Sequence, residues 1–143
     1  IQLHTDGDVA GALMAVSPGS GVDVMMGVGG TPEGVLAAAA VRVLGGEMQG
    51  RLDPQSDAEK RRVLDAGYSL HRVLGTEELV TDDDIFFAAT GITGGSFLGG
   101  VEFSGHGAQT HSMVLRGKTG TVRRIEAQHT FDKLMRISAI AYD

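Results

Sequence analysis

The stretch GVGGTPEGVLAAAA, residues 27–40, places four glycines, a proline and one acid in front of an alanine run. Its reading decides the fold. Thr31 is a good N-cap, Pro32 stands where proline is favoured at the first helical position, and Glu33 falls in the first turn, where a negative charge suits the helix dipole. The helix is predicted to run through the alanines to Leu44 and to stop at Gly45 and Gly46. Immediately upstream, VDVMMGV (residues 22–28) is rich in β-branched residues and Met and reads as a buried strand. A glycine turn between strand and helix is routine α/β architecture and also a common place to hold phosphate.

The same alternation extends outward in both directions. Residues 1–4 are a strand candidate, and DGDVAGALMAV follows, with Asp6 or Asp8 able to cap a helix carrying Val9, Leu13, Met14 and Val16. SPGSG ends it. Downstream, EMQGRL reads as a strand, and residues 58–79 space Val63, Leu64, Gly67, Leu70, His71 and Leu74 as an amphipathic helix, interrupted near Gly75. DDIFFAATGI is a strand leaving an acidic loop, and THSMVLRGKTGTVRRIEAQH is a hairpin around a Gly-Lys-Thr-Gly turn. Together these elements predict an α/β layered sheet of mixed direction.

Composition limits the function classes. With 143 residues and 42% hydrophobic content the chain is one domain's worth with enough apolar mass for a core. A net charge of −6, with no basic run longer than Lys60, Arg61 and Arg62, argues against nucleic acid and against a membrane surface. An acidic protein acting on an anionic substrate needs a metal or local basic residues as mediator. Cysteine is absent, which removes disulfides and thiolate metal sites and permits a reducing compartment. No apolar stretch approaches the roughly 20 residues of a spanning helix, so a soluble, cytoplasmic protein is expected. The opening IQLHTDGDV, with no initiator Met and no polar lead-in, is what a chain cut inside a domain presents.

Several motifs drop out on spacing. A dinucleotide fingerprint starting at Gly27 needs glycine where Pro32 stands, and the P-loop suggested by RGKTG needs glycine at Ser112. Lys118 is read as a hairpin tip. His4, His71, His106, His111 and His129 form no zinc-binding pair, and the Asp82, Asp83, Asp84 run is read as a solvated loop without a role. TDGDV is stronger. Two carboxylates around a glycine, after a strand, lie at the sheet edge where open α/β folds bind ligands. The residues alone leave two roles open for Asp6 and Asp8: helix caps, or acceptors for sugar hydroxyls and ligands for a hard cation. Glu33 poses the same choice between dipole complement and a ligand for Mg²⁺ or Mn²⁺.

At these residues the sequence resembles a known family. TDGDV, GVGGTPEGVLAAAAVRVLGGEMQGRL, FFAATGIT and THSMVLRGKTGTVRRIEA, in that order, are similar to the C-terminal part of class II (GlpX-type) fructose-1,6-bisphosphatases. The resemblance covers nearly the whole chain. It implies a layered α/β/α/β/α fold related to inositol monophosphatases, with residues 1–143 forming the C-terminal half of a phosphatase domain. It places substrate contacts on Asp6, Gly7, Asp8 and Gly30 and a metal ligand on Glu33. No catalytic residue is expected here, because the other metal carboxylates and the phosphate-binding Lys and Arg belong to an N-terminal half. The implied reaction is hydrolysis of the 1-phosphate of fructose 1,6-bisphosphate with Mg²⁺ or Mn²⁺, in an oligomer of two or four copies, the isolated fragment being inactive. A phosphatase of wider range, bifunctional toward fructose and sedoheptulose bisphosphates or acting on inositol phosphates, and a non-catalytic assembly module are the alternatives. One departure is visible: Gly94, Gly95 and Ser96 stand where the family often carries an acidic tip.

Overall fold

The computed structural model describes residues 1–4 and 7–137. The chain divides into two compact units, Ile1–Ile85 and Phe86–Asp143. Helix and sheet are both present, as the alternating pattern predicts.

The first unit is built on two helices, α1 (Asp8–Ala15) and α2 (Thr31–Val43). Leu13 and Met14 of α1 and Ala37, Ala38, Ala40 and Val41 of α2 are buried, as is Ile85 at the end of the unit. Positions 37, 40 and 41 carry the three- and four-residue spacing of a buried helix face, and a fully buried leucine such as Leu13 contributes about 1.5–3 kcal/mol. SPGSG ends α1 by a specific device: the hydroxyls of Ser17 and Ser20 donate to the carbonyls of Leu13 and Met14, each at 2.6 Å. At the end of α2 the N–H of Gly45 donates to Arg42 and that of Gly46 to Val41, a Schellman close that confirms the predicted stop.

A short antiparallel pair follows, β1 (Gln49–Arg51) with β2 (Val73–Gly75), in register Gly50 to Leu74. Between them runs α3 (Asp57–Asp65), and after them α4 (Thr76–Leu79). The predicted helix over residues 58–79 is therefore too long. Gly67, at φ 81, takes the left-handed position that ends α3, and residues 73–75 are claimed by the ladder with β1. Arg42 fastens α2 to the loop beyond α4, with Nε on Asp83 Oδ1 at 2.7 Å and Nη1 on the Val80 carbonyl at 2.9 Å. The hydrogen bond to Asp83 raises the Arg42 pKa above its already high value. In the same loop Asp82 accepts the N–H of Asp84 at 2.8 Å. The acidic run thus has a structural role that the sequence reading did not assign.

The second unit is an antiparallel sheet. Its spine is β5 (Gly107–Arg116), paired along its whole length with β6 (Thr121–Thr130). With one edge of β5 taken, β3 (Phe86–Thr90) and β4 (Glu102–Ser104) share the other edge end to end, β3 on Ser112–Arg116 and β4 on Gly107–Gln109. The hairpin is as predicted, with Lys118 in a 3₁₀ turn and Gly120 left-handed at φ 59. Phe87, Met113 and Leu115 share one face and are buried. On the other face Phe86 is 73% exposed under the Arg116 guanidinium, 4.2 Å from the ring centroid. A short α5 (Phe131–Leu134) follows β6, and Phe131 approaches Phe103 at 6.3 Å between centroids.

Three further expectations are corrected. The ladders among the described residues are all antiparallel, so no sheet of mixed direction forms within them. Residues 1–4 and 22–28 form no strand. A strand exists only through a paired neighbour, and without one Val24, Met26 and Val28 are 72%, 90% and 82% exposed. Thr31, finally, is the first residue of α2, and Gly30 is its N-cap.

Candidate functional site

The candidate residues lie where α1 and α2 begin. Gly7 is the N-cap of α1 at φ 90, ψ 38, a conformation that strains any residue with a Cβ. Asp8 opens α1 as its first helical residue, in place of the capping role considered for it, and among the described residues no side chain caps this helix. Asp6 lies outside the described residues. Gly30 caps α2 in extended conformation at φ −68, ψ 152, and Glu33 stands in the first turn behind Pro32.

The two helix starts meet at the Gly29-Gly30 doublet. Oδ2 of Asp8 lies against Gly29, where an added Cβ would overlap it and would stand 3.5 Å from Cγ. Oε2 of Glu33 lies against Gly30 in the same way, with Cδ 3.3 Å from an added Cβ. Two exposed carboxylates are thus laid on consecutive α-carbons. Each is also in the first turn of its helix, where the positive end of the dipole favours negative charge.

Of the predicted residues, the structure brings together Asp8, Gly30 and Glu33, with Gly7 one position before Asp8. Exposed carboxylate oxygens are hard donors of the kind that Mg²⁺ and Mn²⁺ take, and also acceptors for hydroxyl groups. Among the described residues no group of three or more His, Cys, Asp or Glu is gathered around one point. Two carboxylates suit part of an octahedral coordination sphere, with water and phosphate oxygens in the remaining positions. The sequence reading missed Gly29. The signal for it was the doublet itself, since one glycine is enough for a turn and the second needs another reason.

Compared with known proteins, residues 1–129 match the family described as bacterial fructose-1,6-bisphosphatase, glpX-encoded. The chain is 43% identical over 145 aligned positions to a fructose-1,6-bisphosphatase class 2 of Haemophilus influenzae, covering 92% of this chain and 44% of that protein. It is 39% identical over 141 positions to fructose-1,6-bisphosphatase 1 class 2 of Escherichia coli K12, covering 90% and 42%. The chain spans less than half the length of these curated relatives.

Proposed function

The chain belongs to the family of glpX-encoded bacterial fructose-1,6-bisphosphatases, and from that premise we propose that it works in the metal-dependent hydrolysis of fructose 1,6-bisphosphate at its 1-phosphate. In this reading it is the C-terminal half of a layered α/β/α/β/α phosphatase of the inositol monophosphatase-like kind, and the assembled protein self-associates. The products are fructose 6-phosphate and inorganic phosphate. The observation that carries the reading is the placing of Asp8 and Glu33 on adjacent glycines at two helix N-termini.

Each residue has a task set by its chemistry. Asp8 accepts hydrogen bonds from the sugar hydroxyls, which orients the ring and holds the 1-phosphate in one direction. Glu33 offers its carboxylate as one ligand of Mg²⁺ or Mn²⁺. When bound, such a cation lowers the pKa of an attacking water and neutralises charge on the phosphoryl oxygens and the leaving alkoxide. The backbone of Gly30 carries no side chain and admits the substrate close to the start of α2, where N–H groups point outward. Positioning and charge neutralisation are the main sources of rate in phosphoryl transfer.

The test is phosphate release from fructose 1,6-bisphosphate with Mn²⁺ or Mg²⁺, first with this chain alone and then with the amino-terminal complement added. Activity is expected only in the mixture, and Glu33→Gln should lower it at least about 10–100-fold. Release by the chain alone, in a sample free of the complement, would overturn the half-site reading. A folded mixture that releases no phosphate would overturn the activity.

A further inference from the structure

Gly29 and Gly30 do not owe their identity to backbone conformation. The glycines with positive φ among the described residues are Gly7, Gly19, Gly21, Gly45, Gly67, Gly94 and Gly120, and neither member of the doublet is among them. Gly30 at φ −68, ψ 152 is in a region open to every residue. What excludes a side chain is occupied space, and in both cases a carboxylate oxygen occupies it. Gly34, four residues on in the same helix, has nothing within 4 Å of an added Cβ. Within the turn and the helix that follows it, overlap with a carboxylate oxygen is confined to the doublet.

We propose that Gly29 is a positioning residue of the substrate site, its missing side chain forming the seat that holds the Asp8 carboxylate on the turn beside Glu33. The seat explains how an acid at the start of α1 comes to work with an acid of α2, because Gly29 immediately precedes the N-cap of α2. The obstructing atom is the free end of a short side chain. A Cβ at position 29 is therefore relieved by rotation of Asp8 out of its seat, at little cost to the fold and at full cost to the placing of the acid. With Asp8 shortened to alanine the conflict disappears, since its own Cβ lies 4.0 Å from the added one, an ordinary contact. The identity of the ligand rests on the bisphosphatase reading above; the seat does not.

The experiment is a double-mutant cycle on the protein assembled from this chain and its amino-terminal complement. Four forms are compared: wild type, Gly29→Ala, Asp8→Ala and the double variant, with Gly34→Ala as control. The readouts are the carboxyl ¹³C resonance of Asp8, the melting temperature, and KM and kcat for fructose 1,6-bisphosphate. Gly29→Ala is expected to move the Asp8 resonance, leave the melting temperature near wild type and raise KM about tenfold or more, the effect of losing one hydrogen bond to a charged group. Gly34→Ala should neither move the Asp8 resonance nor raise KM. In the Asp8→Ala background Gly29→Ala should add nothing, because coupled residues fail to add. An unmoved Asp8 resonance, or an effect of Gly29→Ala that persists in full without Asp8, overturns the proposal. Wild type that neither binds nor hydrolyses the bisphosphate overturns the substrate reading instead, and the resonance still decides the seat.

Discussion

Gly29, Gly30 and Gly34 sit within six positions of one another and are glycine for different physical reasons. The first two are held by neighbouring carboxylates, and the third by nothing that the structure contains. Substituting Gly34 should therefore help the helix: Gly34→Ala is expected to raise stability by about 0.5–1 kcal/mol, the ordinary difference between the two residues in a helix interior. Urea denaturation would show it as a higher midpoint with an unchanged slope. Sequence reading found Glu33 and Asp8 because acid near a glycine turn is a visible pattern. It did not find that Asp8 reaches across to a different helix, because that contact joins residues 21 positions apart and depends on how α1 packs on α2.

At the level of elements, caps and breakers decided where each segment ends. Ser56 and Glu59 form a capping pair at the start of α3, Ser56 Oγ accepting the Glu59 N–H at 3.3 Å and Glu59 accepting the Gln55 N–H at 2.9 Å. The sequence reading, which began the helix at residue 58, did not use that Ser-x-x-Glu spacing. The far end was misread because the apolar spacing beyond Gly67 continues in phase while the backbone does not. Gly67→Ala should cost about 1–2 kcal/mol, the penalty of a Cβ in left-handed conformation, read by thermal or urea unfolding. The start of α4 carries a pH-dependent contact. The Gly75 N–H, and after it the ion pair with Arg72, hold the Glu78 carboxylate below its ordinary 4.5. A lowered folded-state pKa stabilises above the unfolded value and loses that contribution as pH falls through the folded one. Glu78→Gln should therefore be the less stable protein near pH 7. The gap should close as pH drops below about 4.5, measured by urea midpoints across pH.

For the whole molecule, the informative feature is what stays uncovered. Ile1, Leu3, Val24, Met26 and Val28 are at least 72% exposed, and they fall in the two segments, 1–4 and 22–28, that the sequence marked as strands and that form none. Exposed apolar clusters of this kind mark interaction surfaces. Met25 is half-buried, with its side chain toward α1 at Gly11. Under the proposed function these segments are strands awaiting a pairing partner in the amino-terminal complement. Hydrogen exchange gives a direct reading: amides of residues 22–28 should exchange rapidly in the chain alone and become protected when the complement is added. Rapid exchange in the active mixture would rule out that completion. Among the described residues no helix is long and apolar enough to cross a membrane.

The sequence by itself determined those features that depend on neighbours along the chain. The extent of α2 and its Gly45-Gly46 stop, the β5–β6 hairpin around Lys118, and the acids at the two helix starts all follow from propensity, capping and turn chemistry. Only tertiary structure decided the antiparallel sheet, the fate of residues 22–28, the tie of Arg42 to Asp83 and the seating of Asp8 on Gly29. Each of these depends on what lies beside a residue in space. A strand pattern specifies which faces are apolar and leaves open which edge pairs, and an acid pattern specifies charge and leaves open which backbone gives it room.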